Sequence, residues 1–140
     1  MADLSITAAN VAVSASARVN NTANAGETIT AGMSVYLKAA DGRWWKAQCD
    51  GVIAESGSGV LRGIALHGSL AGQPLAVMEA GDIVIGATVT VGTEYYVSAT
   101  AGGICPVADL ASTNYLTIVG YAITTTVIRL LMTATGIQKA

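Results

Sequence analysis

Ile29-Thr30-Ala31-Gly32-Met33-Ser34-Val35-Tyr36-Leu37 is answered about 60 residues later by Val89-Thr90-Val91-Gly92-Thr93-Glu94-Tyr95-Tyr96-Val97. The echo runs on. Asp41-Gly42 is matched by Ala101-Gly102, and Gly63-Ile64-Ala65-Leu66 by Gly120-Tyr121-Ala122-Ile123. A short apolar run follows each time, Leu75–Met78 and then Ile128–Met132. Repetition fixes architecture before any single element does, and two copies are too few for a solenoid, which needs at least three. The reading is one compact domain built from two related β halves, about 27–79 and 87–133.

Turn signals support an all-β chain. Asp41-Gly42 lies between the β-prone runs Ser34–Ala39 and Arg43–Gln48, a strong hairpin signature. Further strands are expected over 28–30, 60–67, 75–79, 83–85, 95–100, 104–107, 116–123 and 127–133. Ala80-Gly81-Asp82 reads as a turn, Glu55–Gly59 as a flexible loop, and 135–140 as a tail. No segment keeps a helical period with caps, so the fold class is all-β, a small sandwich or barrel. Residues 1–25, rich in Ala, Ser, Asn and Val, read as an extended N-terminal arm that orders on docking; 26–140 is a single β domain.

Several strands are apolar on both faces: Leu75–Met78, Ile83–Ile85 and, apart from Arg129, Ile128–Met132. A strand with one wet face alternates instead. The second face therefore belongs under a loop, the arm or another subunit. Charged residues make up 11% of the 140 residues, against roughly 25% in ordinary soluble domains. A surface so poor in charge points to association and a homo-oligomer.

The same composition argues against several functions. A net charge of −2, with seven scattered basic residues, leaves no footprint for direct nucleic-acid binding. No run approaches the 18 or so apolar residues of a membrane span, and the first 17 residues lack the basic start and apolar core of a secretory signal. His67 is the single histidine and has no triad partner in sequence. Glu79 and Asp82 flank a glycine without the ligand density of a calcium loop. Cys49 and Cys105 fall at non-equivalent places in the two copies and read as small core residues, with a bridge between them left open. The expectation is a non-enzyme without catalytic residues, cofactor or metal.

Arg43-Trp44-Trp45-Lys46 is the one unusual cluster. On a strand the two indoles point to opposite faces, so at most one is expected on the core. The other is exposed, loop-covered or at an interface, and a bare Trp face also suits carbohydrate stacking. With the apolar groups of the arm, the expected partner contacts are Leu4, Ile6, Val11, Val13, Trp44 and Trp45.

The opening Met1-Ala2-Asp3-Leu4-Ser5-Ile6-Thr7-Ala8-Ala9-Asn10-Val11 resembles the start of tailed-bacteriophage capsid cement (head decoration) proteins. So do Ala25–Gly32, Val35-Tyr36-Leu37 before Asp41-Gly42, Arg62–Leu66, Ala71–Val77 and Gly102–Leu110, so the likeness spans essentially the whole chain. It rests on the order and spacing of glycine turns, and Arg43-Trp44-Trp45 departs from the usual filling of the first hairpin. The resemblance implies a structural virion protein, made in the host cytoplasm, that binds the outer surface of the assembled capsid. There it would bridge copies of the major capsid protein, with a trimer favoured. The alternative is a head-fibre or tail-associated β module binding host glycans.

Overall fold

The computed structural model describes residues 3–14 and 16–140. Among them ten strands form one antiparallel sheet curled into a half-barrel. They are β1 (Ala12–Val13), β2 (Arg18–Asn20), β3 (Ser34–Lys38), β4 (Arg43–Lys46), β5 (Arg62–Ala65), β6 (Val77–Val84), β7 (Glu94–Val97), β8 (Ile104–Pro106), β9 (Tyr115–Ala122) and β10 (Val127–Gln138). The path across the sheet is β4-β3-β5-β6-β10-β9-β7-β8, with β1 and β2 laid along β6.

Local chemistry explains the hairpins. Gly42 turns the chain at φ 65°, the Asp41 carboxylate accepts the Arg43 amide at 3.0 Å, and Tyr36 then faces Trp45 across the ladder. Before β3, Gly32 at φ 89° donates its amide to Ala65 O at 2.8 Å; before β7, Gly92 at φ 82° donates to Ala122 O at 2.9 Å. Val35 pairs with Gly63 in one ladder and Tyr95 with Gly120 in the other. At both glycines the neighbouring strand passes so close that a Cβ would run into a backbone carbonyl, Met78 O or Arg129 O.

Three sequence expectations change. Gly81 does not end a strand: at φ 103° it lets β6 run through 77–84, pairing with β5 and β2 by its first half and with β10 and β1 by its second. The expected tail is strand, because β10 continues to Gln138 opposite Tyr115 after an irregularity at Leu130–Thr133. The expected strand at 28–30 is a single bridge, Ile29 to Ser69.

Packing is two-sided. The main core, inside the curl, contains Ile64, Met78, Ile83, Ile104, Val119 and Ile128 among others. A second core on the opposite face holds Ile29, Val35, Trp44, Leu75 and Val77, beneath the chain that leads into β3. Ser34–Tyr36 of β3, Gly63–Ala65 of β5 and Val77–Met78 of β6 are thus buried on both faces, which accounts for their lack of alternation. The ends of the curl are tied by backbone bonds from Cys49 N to Ser98 O at 3.0 Å and from Gly102 N to Ala47 O at 2.8 Å.

Gly63→Ala and Gly120→Ala each force two strands apart. Each is expected to lower stability by about 1–3 kcal/mol, the usual range for overpacking. Thermal unfolding of the two variants checks this, and an unchanged midpoint in either would contradict the close approach.

Candidate partner-contact surface

The segment before β3 is bonded to its own domain. Leu4 donates its amide to Ile104 O and Thr7 to Gly86 O, both at 2.8 Å, and β1 and β2 then pair along β6. Ser98 Oγ donates to the Asp3 carboxylate at 2.5 Å. Two glycines make room for this path: a Cβ on Gly81 would collide with Ser16 O, and one on Gly86 would meet Thr7 O at 2.5 Å. The covering expected over Ile83–Ile85 is therefore supplied in part by the chain's own N-terminal segment.

The expected contact residues divide accordingly. Leu4, Ile6 and Val11 are half-buried against the main core, whereas Val13 keeps 52% of its surface exposed. Trp44 is wholly buried in the second core and offers no surface to a partner. Its indole N–H has no acceptor there among the described residues. Trp45 is half-buried and packs against the main core from the other face. The expectation that at most one tryptophan lies on a core is corrected, because this sheet has a core on each face. The Trp45 indole is pinned at its edge, Nε1 donating to Asp41 Oδ2 at 3.0 Å, with Lys38 Nζ 4.6 Å from the ring centroid.

Elsewhere the surface carries isolated aliphatic groups. Val52, Leu61, Leu70, Val91, Leu131 and Ile137 are each between 47% and 64% exposed. Leu61 and Leu131 border one shallow hollow together with Arg18 and Glu79. Two charge pairs flank this face: Arg18 to Glu79 at 3.5 Å, and Arg129 to Asp82 through two contacts, at 2.9 and 3.2 Å. The bond from Arg129 holds the Asp82 carboxyl below its ordinary range. Arg62 instead spans three carbonyls, those of Met132, Gly57 and Val60, and fastens the loop before β5 to the irregular point of β10.

Groups with potential chemistry are engaged structurally. His67 Nε2 accepts the Ala76 amide at 3.0 Å, so Nδ1 is the donor to Gly68 O at 2.9 Å, and neither ring nitrogen is spare. No three His, Cys, Asp or Glu among the described residues are placed to hold a metal ion. No described helix is long and apolar enough to cross a membrane. Sequence reading passed over Glu27, Gln48 and Glu55, which converge beside Tyr36 and Trp45; their spacing matches no motif, and only the fold brings them together.

Comparison with known proteins gives no match to any protein-family model, curated protein or solved structure.

Cys49 and Cys105 are buried free thiols in the main core. Burial pushes Cys49 up to about 12 and Cys105 up to about 11. The protonated thiol is the neutral form, so the folded chain holds these protons to higher pH than the unfolded one. Their contribution to stability is complete below the ordinary thiol value of 9.0 and is lost as pH rises through about 11 and then 12. An aromatic disulfide reagent at pH 8 is expected to label neither thiol in the folded chain and both in denaturant, and midpoints of urea unfolding should fall above pH 9. Rapid labelling of the native chain would contradict the burial.

Proposed function

We propose that the chain is a structural capsid cement protein of a tailed bacteriophage. It binds the outer surface of the assembled shell and stabilises the lattice by bridging major capsid protein subunits. The observation that carries this reading is the surface: aliphatic side chains stand out singly around a domain with only seven basic and nine acidic residues. Such a surface suits many weak contacts better than one tight pocket. Repeated across a shell, modest contacts add up through multivalency. A homo-oligomer, with a trimer favoured, would place several copies of the same surface at one junction of subunits. The whole-chain resemblance to capsid cement proteins supports the same reading.

The two halves belong to this proposal as related copies of one unit. Supporting this are the matched turns at Gly32 and Gly92 and the matched close approaches at Gly63 and Gly120. Further support comes from equivalent backbone bonds, Ala65 N to Met33 O at 2.9 Å and Ala122 N to Thr93 O at 3.1 Å. Two similar units in one chain present two similar surfaces, which suits a protein that spans neighbouring subunits. The N-terminal segment is then a contact element seated on its own domain, and Val13 is its most exposed member among the six residues expected at the interface.

The number of copies per purified particle, relative to the major capsid protein, tests the reading. A ratio near one or a fixed simple fraction is expected for cement, while a handful of copies per particle would move the chain to a vertex fibre or the tail. Val13→Asp places a charge on an exposed position, where stability normally moves by no more than about 0.5 kcal/mol. It is expected to leave the fold intact and to lower occupancy on particles at least severalfold. Full occupancy by this variant would remove the N-terminal segment from the interface.

A further inference from the structure

Asp-Gly occurs twice in the chain, at Asp41-Gly42 and at Asp50-Gly51, and all four residues are exposed. This dipeptide is reactive in itself. An aspartate carboxyl and the next main-chain nitrogen can close a five-membered ring, and glycine, with no Cβ, leaves that nitrogen open to approach. The fold treats the two pairs differently. The first is locked in the β3–β4 hairpin. The Asp41 carboxylate accepts the Arg43 amide and the Trp45 indole N–H, each at 3.0 Å, and the Gly42 amide donates to Lys38 O at 2.8 Å. Ring closure there needs the carboxylate and the amide released together.

The second pair is not held. Among the described residues neither the Asp50 carboxylate nor the Gly51 amide makes a hydrogen bond. Asp50, Gly51, Val52 and Ile53 form an exposed bend before the turn at Ile53–Ser56. Exposure does not separate the two pairs, but bonding does. The bend is also anchored at both ends. Cys49 is fixed by its amide to Ser98 O at 3.0 Å and by its carbonyl to the Tyr115 amide at 2.9 Å, and Val52 O accepts the Glu55 amide at 3.0 Å. A change of main-chain length at 50 therefore falls between fixed points and breaks no bond of the sheet.

We propose that Asp50-Gly51 is a modification site at which the folded chain isomerises to isoaspartate, while the hairpin keeps Asp41-Gly42 unreactive. The Gly51 nitrogen attacks the Asp50 side-chain carboxyl carbon in its acid form. The amide proton and the carboxyl hydroxyl leave as water, and a succinimide closes. Water then adds to one of its two carbonyls, and the C–N bond at that carbon breaks. Opening at the side-chain carbonyl restores aspartate. Opening at the main-chain carbonyl leaves Gly51 joined through the side chain, with a free α-carboxylate and one more atom in the main chain. Nothing is oxidised or reduced, and water is the only co-reactant. The product stays folded and accumulates in the native chain. The site is independent of the capsid reading and stands or falls separately from it.

Ageing the full chain for weeks, warm and at mildly acidic pH, tests it. An isoaspartyl methyltransferase with labelled S-adenosylmethionine counts the free α-carboxylates, and electron-transfer fragmentation of the peptides locates them. In the native chain Asp50 is expected to isomerise about tenfold more than Asp41, the factor that one hydrogen bond to a charged group confers. In denaturant that protection is gone, and the two should react at similar rates. Trp45→Phe removes one bond to Asp41 and is expected to raise the isomer at Asp41 without changing Asp50. Asp50→Glu needs a six-membered ring and should abolish the isomer at that position. Amide spectra establish that each variant is folded, and the comparison of native with denatured chain decides the matter if Trp45→Phe is not. Equal isomerisation of Asp41 and Asp50 in the native chain, or none at Asp50 while the denatured chain accumulates it, overturns the proposal.

Discussion

Strand β6 is the constraint on which the rest of the structure depends. Its first half pairs with β5 and β2, and its second with β10 and β1. Val77 points into the second core while Met78 and Ile83 point into the main one. Its two ends are packed in this way, and only its middle, with Glu79 and Asp82 in charge pairs, reaches the surface. That is why 75–78 and 83–85 are apolar, while the polar residues of the strand are confined to Glu79–Asp82 between them. Gly81 carries the strand through that middle, because a φ of 103° and contact with Ser16 O leave no room for a side chain.

Much of this was legible in the sequence, for a physical reason. Turns are local, so Asp41-Gly42 and Ala101-Gly102 announced the two hairpins directly. The order of apolar runs then announced the strands. Non-local pairing was harder to read. Gly81 between Ala80 and Asp82 has the composition of a turn, and only the pairing of both flanks with other strands keeps the chain extended there. Residues 135–138 look like a tail because they lack an apolar pattern; their partner is the start of β9, and the bonds that hold them are mostly backbone. The second core was invisible for a related reason. Trp44 and Trp45 could be assigned to opposite faces, but not to two buried faces, until 23–33 was seen folded over the outside of the sheet.

The candidate surface was legible in kind more than in position. Low charge and two-faced apolar strands pointed to covered surfaces, and part of the cover turns out to be residues 3–14 and 16–20 of the same chain. Of the two tryptophans, burial removes Trp44 from any surface role, while the bonds to Asp41 keep Trp45 at the edge of a polar hollow. The members of that hollow are separated along the chain by a hairpin and a loop. Their side chains converge because the β3–β4 ladder and the turn at Ile53–Ser56 meet beside the main core.

The seat of the N-terminal segment sets the order in which the chain is completed. Asp3 is bonded to Ser98, 95 residues away, and Leu4 to Ile104. Contacts of such separation form slowly, because a long loop must close before they return any free energy. During synthesis, which proceeds at about 5–20 residues per second, Asp3 and Leu4 wait until Ser98 and Ile104 have been made. For some seconds the main-core flank that Leu4 covers stays open, and it closes only once the β7–β8 hairpin has emerged.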